Sequence, residues 1–246
     1  MTAAPTLLAI DTATGTCSVA LCVNGRIDEN SEDVGTRHSE RVLPMIEELL
    51  GAHGITIRSV DAFAFGAGPG SFTGLRIACG VAQGLGWGVE RPLIPIGNLG
   101  ALALDASLQN SAARRVMTAI DARMNEAYVA IFDVSDAGGA AGVAELVAPS
   151  LAAPGDLALL AARWNVDTVA GDALAAYAPA FESLNCTRLP AARASANTVL
   201  LLAQQAYAAG HVCTAADAAP LYVRDRVALT IEERRVRQAV AAGAAP

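Results

Sequence analysis

Leu7-Leu8-Ala9-Ile10-Asp11, a Thr/Gly turn, and the run Cys17 to Val23 make a strand–Asp–turn–strand unit near the start of the chain. The unit returns as Val116 to Ile120, Asp121, and Ala127 to Val134. At an offset of 110, Ala9, Ile10, Asp11, Val19 and Ala20 match Ala119, Ile120, Asp121, Val129 and Ala130. Alanine is abundant, so chance contributes to the matches. The shared order and internal spacing nevertheless predict a duplicated fold of two similar lobes.

Outward from the first unit, Asn24-Gly25 is a two-residue hairpin signal, and Arg26 to Glu32 reads as a third antiparallel strand. His38 to Leu50 has helical spacing, with Val42, Met45, Ile46, Leu49 and Leu50 on one side. Pro44 inside it predicts a kink or a later helix start. Asp61 to Gly66 reads as a strand, followed by a glycine-rich loop and a helix from about Thr73 to Gly88. Pro92 to Ile96 reads as a strand and Leu99 to Ser107 as a helix. In the second lobe, Val166 to Ala170 is a strand, Gly171-Asp172 a turn, and Ser195 to Ala209 a helix stopped by Gly210. Val134 to Leu157 is rich in Ala and Gly and carries no assignable pattern. The whole predicts an α/β architecture with mixed sheets. Residues 1–108 form the first lobe, with 215–246 as a candidate to complete it, and residues 109–214 form the second.

With 246 residues, 53% hydrophobic and 17% charged, the chain can bury a sizeable core. The longest uncharged stretch, Ala194 to Ala216, is broken by Ser195, Asn197, Gln204, Gln205, Gly210 and His211, so no membrane span is expected. Met1 to Ala4 lacks a secretory pattern. The five scattered cysteines, with no C-x-x-C pair, predict a reduced, cytoplasmic protein with buried thiols. A net charge of -7 disfavours a chain that grips RNA alone. Arg224, Arg226, Arg234, Arg235 and Arg237, interleaved with Glu232 and Glu233, read as a solvated helix face, with RNA contact as the alternative. All 17 basic residues are arginine. The absence of lysine excludes a Walker A lysine, a Schiff-base lysine and a kinase-type strand lysine.

The most distinctive stretch is Gly66-Ala67-Gly68-Pro69-Gly70-Ser71-Phe72-Thr73-Gly74-Leu75-Arg76, between a strand and a helix. It is neither a dinucleotide fingerprint nor a nucleophile elbow. An anion site at the helix start and a tight structural turn are equally weighted readings. Gly80, Gly84 and Gly88 stand four apart in the next helix. Each costs about 1 kcal/mol relative to alanine, which implies that another backbone packs close, from the same lobe or from a partner. Asp11 and Asp121 each end a strand at the mouth of an expected cleft and either hold a metal–nucleotide pair or cap their turns. His38, His53 and His211 are far apart in sequence, so no metal site is expected. His38, beside Glu40, reads as a surface residue. No catalytic nucleophile–His pair or peptidase constellation emerges.

Several segments resemble the TsaB (YeaZ) family: Leu8 to Thr14, Ser18 to Leu21, His38 to Pro44, the Gly66–Arg76 loop, Ala119 to Met124, and Pro220 to Arg224. The resemblance spans most of the chain, in order. It implies the actin-like ATPase (ASKHA) fold, with two ribonuclease H-like lobes of mixed sheet flanked by helices. It also implies a role in forming threonylcarbamoyladenosine at adenosine 37 of tRNAs that read codons beginning with adenine. In that system a TsaD-type catalytic paralogue makes the transfer and a TsaE-type ATPase assists. The TsaB-type chain is a non-catalytic subunit that binds the paralogue and meets tRNA only indirectly, and a homodimer is open to it when alone.

The catalytic paralogue carries H-x-x-x-H metal ligands just after a strand like Pro92-Leu93-Ile94-Pro95, and the matching positions here are about Asn98 and Leu102. Leucine cannot ligate a metal. The resemblance places the partner interface on His38, Arg41, Val42, Met45, Ile46, Leu49, Arg76, Gly80, Gly84 and Gly88. ATP or ADP at the subunit junction would have Asp11, Thr12, Gly68, Gly70, Ser71, Asp121 and Arg123 as candidate contacts, with no cofactor required by this chain. The competing reading is a magnesium-dependent nucleotide phosphohydrolase or kinase using Asp11 and Asp121.

Overall fold

The computed structural model describes residues 4–137 and 140–224. The first sheet contains β1 (Leu7–Asp11), β2 (Thr16–Val23), β3 (Arg26–Asp33), β4 (Ala62–Gly68) and β5 (Leu93–Gly97), in the order β3-β2-β1-β4-β5. β1, β2 and β3 are antiparallel neighbours, while β4 and β5 run parallel to β1. Asn24 and Gly25 both have positive φ, as the two-residue hairpin requires.

The second sheet contains β6 (Arg115–Asp121), β7 (Ala127–Ala137), β8 (Ala140–Ala152), β9 (Thr168–Ala170) and β10 (Thr187–Leu189). Its order, read from the hairpin edge as β8-β7-β6-β9-β10, repeats the first strand for strand. The chain therefore has the two-lobed actin-like fold. The duplication is looser than the offset of 110 suggests. Ile10 pairs with Val19, but Ile120 pairs with Tyr128 rather than Val129, because residues 12–17 separate the paired Asp11 and Ser18 while only residues 122–126 separate the paired Asp121 and Ala127.

Side chains that alternate along β1, β2 and β4 divide the first core in two. Leu8, Ile10, Val19, Leu21, Phe63 and Phe65 face α1 (His38–Ala52) and α2 (Phe72–Val89). Leu7, Ala9, Ala20, Cys22, Ala62 and Ala64 face α6 (Ala196–Ala208) through Ala196, Val199, Leu200 and Ala203. This corrects the expected boundary, since the helix assigned to the second lobe covers the first sheet. Its start is fixed by a capping box at Ser195, and Ser18 Oγ accepts from the Ala196 N–H at 2.8 Å. α3 (Asn98–Gln109) lies between the lobes, burying Leu99, Leu102, Ala103 and Ala106 against Ala130, Phe132 and Val134. α4 (Leu157–Arg163) and α5 (Ala173–Ala176) cover the outer face of the second sheet.

α1 runs through Pro44 without a later start. Glu40, whose carbonyl loses its helical partner there, is exposed and can bond water. Beyond α6, Cys213 forms an antiparallel bridge with Leu93, and the Ala215 and Ala218 carbonyls accept from Gln83 Nε2 on α2. Arg226, Arg234, Arg235, Arg237 and the rest of residues 225–246 lie outside the described residues. Among the described residues no helix is long and apolar enough to cross a membrane.

Candidate functional site

A cleft of about 880 Å³ opens between the lobes. The first lobe lines it with residues 13–15, 35–36, His38 and 69–75, the second with residues 120–124, Tyr128 and Asp172, and the C-terminal segment with residues 221–224. Of the candidate nucleotide contacts, Gly70, Ser71, Asp121 and Arg123 line it. Asp11, Thr12 and Gly68 do not; they sit behind its wall, which corrects their assignment as cleft groups.

The glycine-rich loop packs inward. Thr12 Oγ1 donates to the Gly74 carbonyl at 2.7 Å, and the Ser71 N–H donates to the Ala13 carbonyl at 2.8 Å. A Cβ on Gly74 would lie 1.8 Å from the Thr12 carbonyl oxygen, and one on Gly66 would lie 2.0 Å from Asp11 Oδ2. These glycines are required because the first turn lies directly on the loop. The N–H groups of Gly68, Ser71 and Gly74 are already bonded to Asn98 Oδ1, the Ala13 carbonyl and Ser71 Oγ. Of the two readings of this loop, the structural turn is the one its geometry favours.

Asp11 is the buried centre of this packing. It accepts from the Ala13 N–H at 3.2 Å and from Asn98 Nδ2, while Asn98 Oδ1 accepts from the Gly68 N–H at 2.6 Å. Burial raises its pKa to about 6 against the opposing donors of Ala13 and Asn98. Folding then takes up a proton between about pH 4 and pH 6, so this group's contribution to stability falls as pH rises through that window. Asp11→Asn should remove up to about 3 kcal/mol of that pH dependence. Urea unfolding of both proteins from pH 4.5 to 7.5 checks it, and parallel pH profiles would contradict it.

Asp121 is the contrasting carboxylate. It accepts from Tyr177 Oη at 2.7 Å and from the Arg123 N–H at 2.8 Å, and it pairs with the Arg123 guanidinium at 2.9 Å. Burial pushes its pKa up, but Tyr177 and Arg123 outweigh it and hold the carboxyl below its ordinary range. Asp172 accepts from the Asp121 N–H at 2.8 Å, and burial, with the Asp121 charge, raises its pKa. Nothing in the local sequence marks Tyr177, while Asp172 reads only as a turn residue and Tyr222 only as part of the Pro220–Arg224 block. Among the described residues, no cluster of three His, Cys, Asp or Glu side chains is placed to hold a metal. Of the positions equivalent to the paralogue's ligands, Asn98 binds Asp11, and Leu102 packs in the core between the lobes.

The interface candidates divide. Val42, Met45, Ile46 and Leu49 are buried against the first sheet, so they cannot meet a partner. His38 is also buried, at 6% exposure rather than on the surface, and its Nε2 has no hydrogen-bond partner among the described residues. Arg41 is half-buried and pairs with Glu32 at 2.8 Å. Gly80, Gly84 and Gly88 are exposed, and a Cβ on any of them would meet nothing within 4 Å, so no backbone among the described residues packs on the stripe. Arg76 lies over the Phe72 ring at 4.0 Å and donates to Tyr222 Oη at 3.1 Å, while Trp87, on the same helix, is 73% exposed. All five cysteines are free, and burial raises the pKa of Cys17 to about 11, leaving no thiolate nucleophile there.

A family model described as TsaD, tRNA N6-adenosine threonylcarbamoyltransferase, matches residues 30–231. The tRNA threonylcarbamoyladenosine biosynthesis protein TsaB of Haemophilus influenzae is 40% identical over 226 residues, covering 90% of this chain and 94% of that protein. The TsaB protein of Escherichia coli is 45% identical over 132 residues, 54% of this chain and 57% of the relative. The solved structure of YeaZ from Pseudomonas aeruginosa superposes with a TM-score of 0.79 at 35% identity, covering 89% of this chain and 99% of that one. With relatives that share sequence and both lobes from end to end, this chain belongs to the TsaB (YeaZ) family.

Proposed function

We propose that this chain is a cytoplasmic, non-catalytic subunit that binds and activates a TsaD-type paralogue for threonylcarbamoylation of adenosine 37 in tRNAs reading codons that begin with adenine. The observation that carries this reading is the burial of Asp11. A carboxylate meant to hold a metal–nucleotide pair has to reach the cleft, and this one is 1% exposed and tied to Asn98. The open glycine stripe on α2, beside the exposed Trp87, supplies a surface on which a second helix can approach closely. In this reading a TsaE-type ATPase joins the pair, and ATP or ADP sits at the junction within reach of Arg123. The tRNA is engaged through the complex, and a homodimer takes the same face when the paralogue is absent.

The test is reconstitution. The purified chain is mixed with its cognate paralogue and followed by size exclusion, and tRNA modification is then assayed with TsaE and threonylcarbamoyl-adenylate. A stable heterodimer, and loss of modification when this chain is omitted, are expected. Modification that proceeds without the chain, or ATP turnover by the chain alone, would transfer support to the phosphohydrolase reading.

A further inference from the structure

The C-terminal segment touches both lobes. On the first, Cys213 and Leu93 exchange backbone hydrogen bonds at 2.9 Å, and Gln83 Nε2 donates to the carbonyls of Ala215 and Ala218 at 3.1 and 2.9 Å. Further along, the Leu221 N–H donates to the Ala67 carbonyl at 2.6 Å, and Tyr222 lies against Phe72 with ring centroids 5.6 Å apart. Two residues later the segment reaches the second lobe. Arg224 donates to the Ala122 carbonyl at 3.0 Å, pairs with Glu126 at 2.8 Å and contacts Met124 Sδ. Its side chain is 11% exposed, against 87% for Arg123 on the same turn, so the Arg224 guanidinium is largely withdrawn from water while its partner Glu126 keeps 39% exposure.

The turn it grips is strained. Arg123, Met124 and Asn125 have φ of 63°, 56° and 59°, three successive non-glycine residues in the left-handed region. Non-glycine residues in this region persist only where the surroundings over-determine them. Within the turn, the Ala122 and Glu126 N–H groups donate to the Glu126 and Arg123 carbonyls at 2.9 and 3.1 Å. Arg224 holds both ends from outside, through the Ala122 carbonyl and the Glu126 carboxylate.

We infer that residues 213–224 form an inter-lobe latch, and that Arg224 is the positioning residue that fastens it. Two lobes joined around a cleft move against each other by default. A segment bonded to β5, to α2, to the end of β4 and to the β6–β7 turn ties one side of the cleft together. It fixes the cleft width, and with it the presentation of Arg123 and Met124.

Spin labels on Ser39→Cys in α1 and Leu159→Cys in α4, in the full chain with Cys186 and Cys213 changed to serine, report the distance between lobes. The parent is expected to give one narrow distance peak. Arg224→Ala should broaden or shift it and raise amide exchange across residues 122–126 by roughly tenfold, with the centres of both sheets still protected. Arg224→Lys, which keeps the charge but not the forked donor, should fall between. Glu126→Ala releases the latch from the opposite end and should reproduce the effect should Arg224→Ala fold poorly. A parent peak already as broad as that of the variants, or variants that match the parent in both distance and exchange, would overturn the latch.

Discussion

Gly74→Ala is expected to destabilise the first lobe by about 3 kcal/mol or more, at or beyond the upper end of what overpacking a tight site costs. The new methyl would stand 1.8 Å from the Thr12 carbonyl oxygen and 2.9 Å from its carbon. Neither side can retreat cheaply. Gly74 donates to Ser71 Oγ at 3.4 Å and accepts from Thr12 Oγ1 at 2.7 Å, so helix start and turn are tied to each other. Moving the turn would drag Asp11 away from Asn98 and Ala13 away from the Ser71 N–H. A loss of this size is a large share of a domain's total stability of roughly 5–15 kcal/mol. Urea unfolding of the isolated chain measures it, and a loss under about 1 kcal/mol would mean that the loop is far more yielding than its bonds imply. Gly80→Ala is the internal control. The same chemical change in the open part of the same helix should raise stability by up to about 1 kcal/mol.

The second large effect separates stability from assembly. Gly84→Leu places a branched side chain at a position whose Cβ would meet nothing within 4 Å among the described residues, so the isolated protein should fold at least as well as its parent. If a partner helix lies on the Gly80–Gly84–Gly88 stripe, the leucine holds the two backbones apart. Affinity for the paralogue should then fall by about 100-fold or more, roughly 2.7 kcal/mol. Calorimetric titration of the paralogue with parent and variant reads this directly. Unchanged affinity would move the interface off α2, and a fall accompanied by lost stability would leave the stripe unassigned. Met45→Ala, by contrast, should cost about 2–5 kcal/mol of fold stability, because Met45 is fully buried against the first sheet.

That contrast shows where the sequence could be read and where it could not. The 3.6-residue periodicity of Val42, Met45, Ile46 and Leu49 announces a helix with one apolar face. It does not say what the face meets, since a core-facing stripe and a partner-facing stripe look alike in one dimension. The strands before and after Asn24-Gly25 were legible because local turn chemistry and alternation agree there. β8 was not, because its alanine-rich sequence has little strand preference of its own and is held by pairing with β7. The glycine-rich loop was legible as a place of close approach. What approaches it, the turn carrying Thr12 and Ala13, is more than 50 residues away in sequence, and only the fold brings the two together. Asp11 and Asp121 occupy equivalent positions in the repeat yet have opposite environments, because Asn98 covers the first while Tyr177 and Arg123 leave the second at the cleft.

The return of α6 to the first sheet has a consequence for the order in which the protein is made. The second lobe is continuous from β6 to β10, roughly residues 115–189, and can finish as soon as that stretch leaves the ribosome. The first lobe emerges earlier but stays incomplete. The face formed by Leu7, Ala9, Ala20, Cys22, Ala62 and Ala64 has no α6 until residues 196–208 are synthesised. At about 5–20 residues per second, that apolar face waits roughly 7–30 seconds for its cover. The nascent chain therefore reverses the usual N-terminal-first order, and the part of the molecule translated first is the part that closes last.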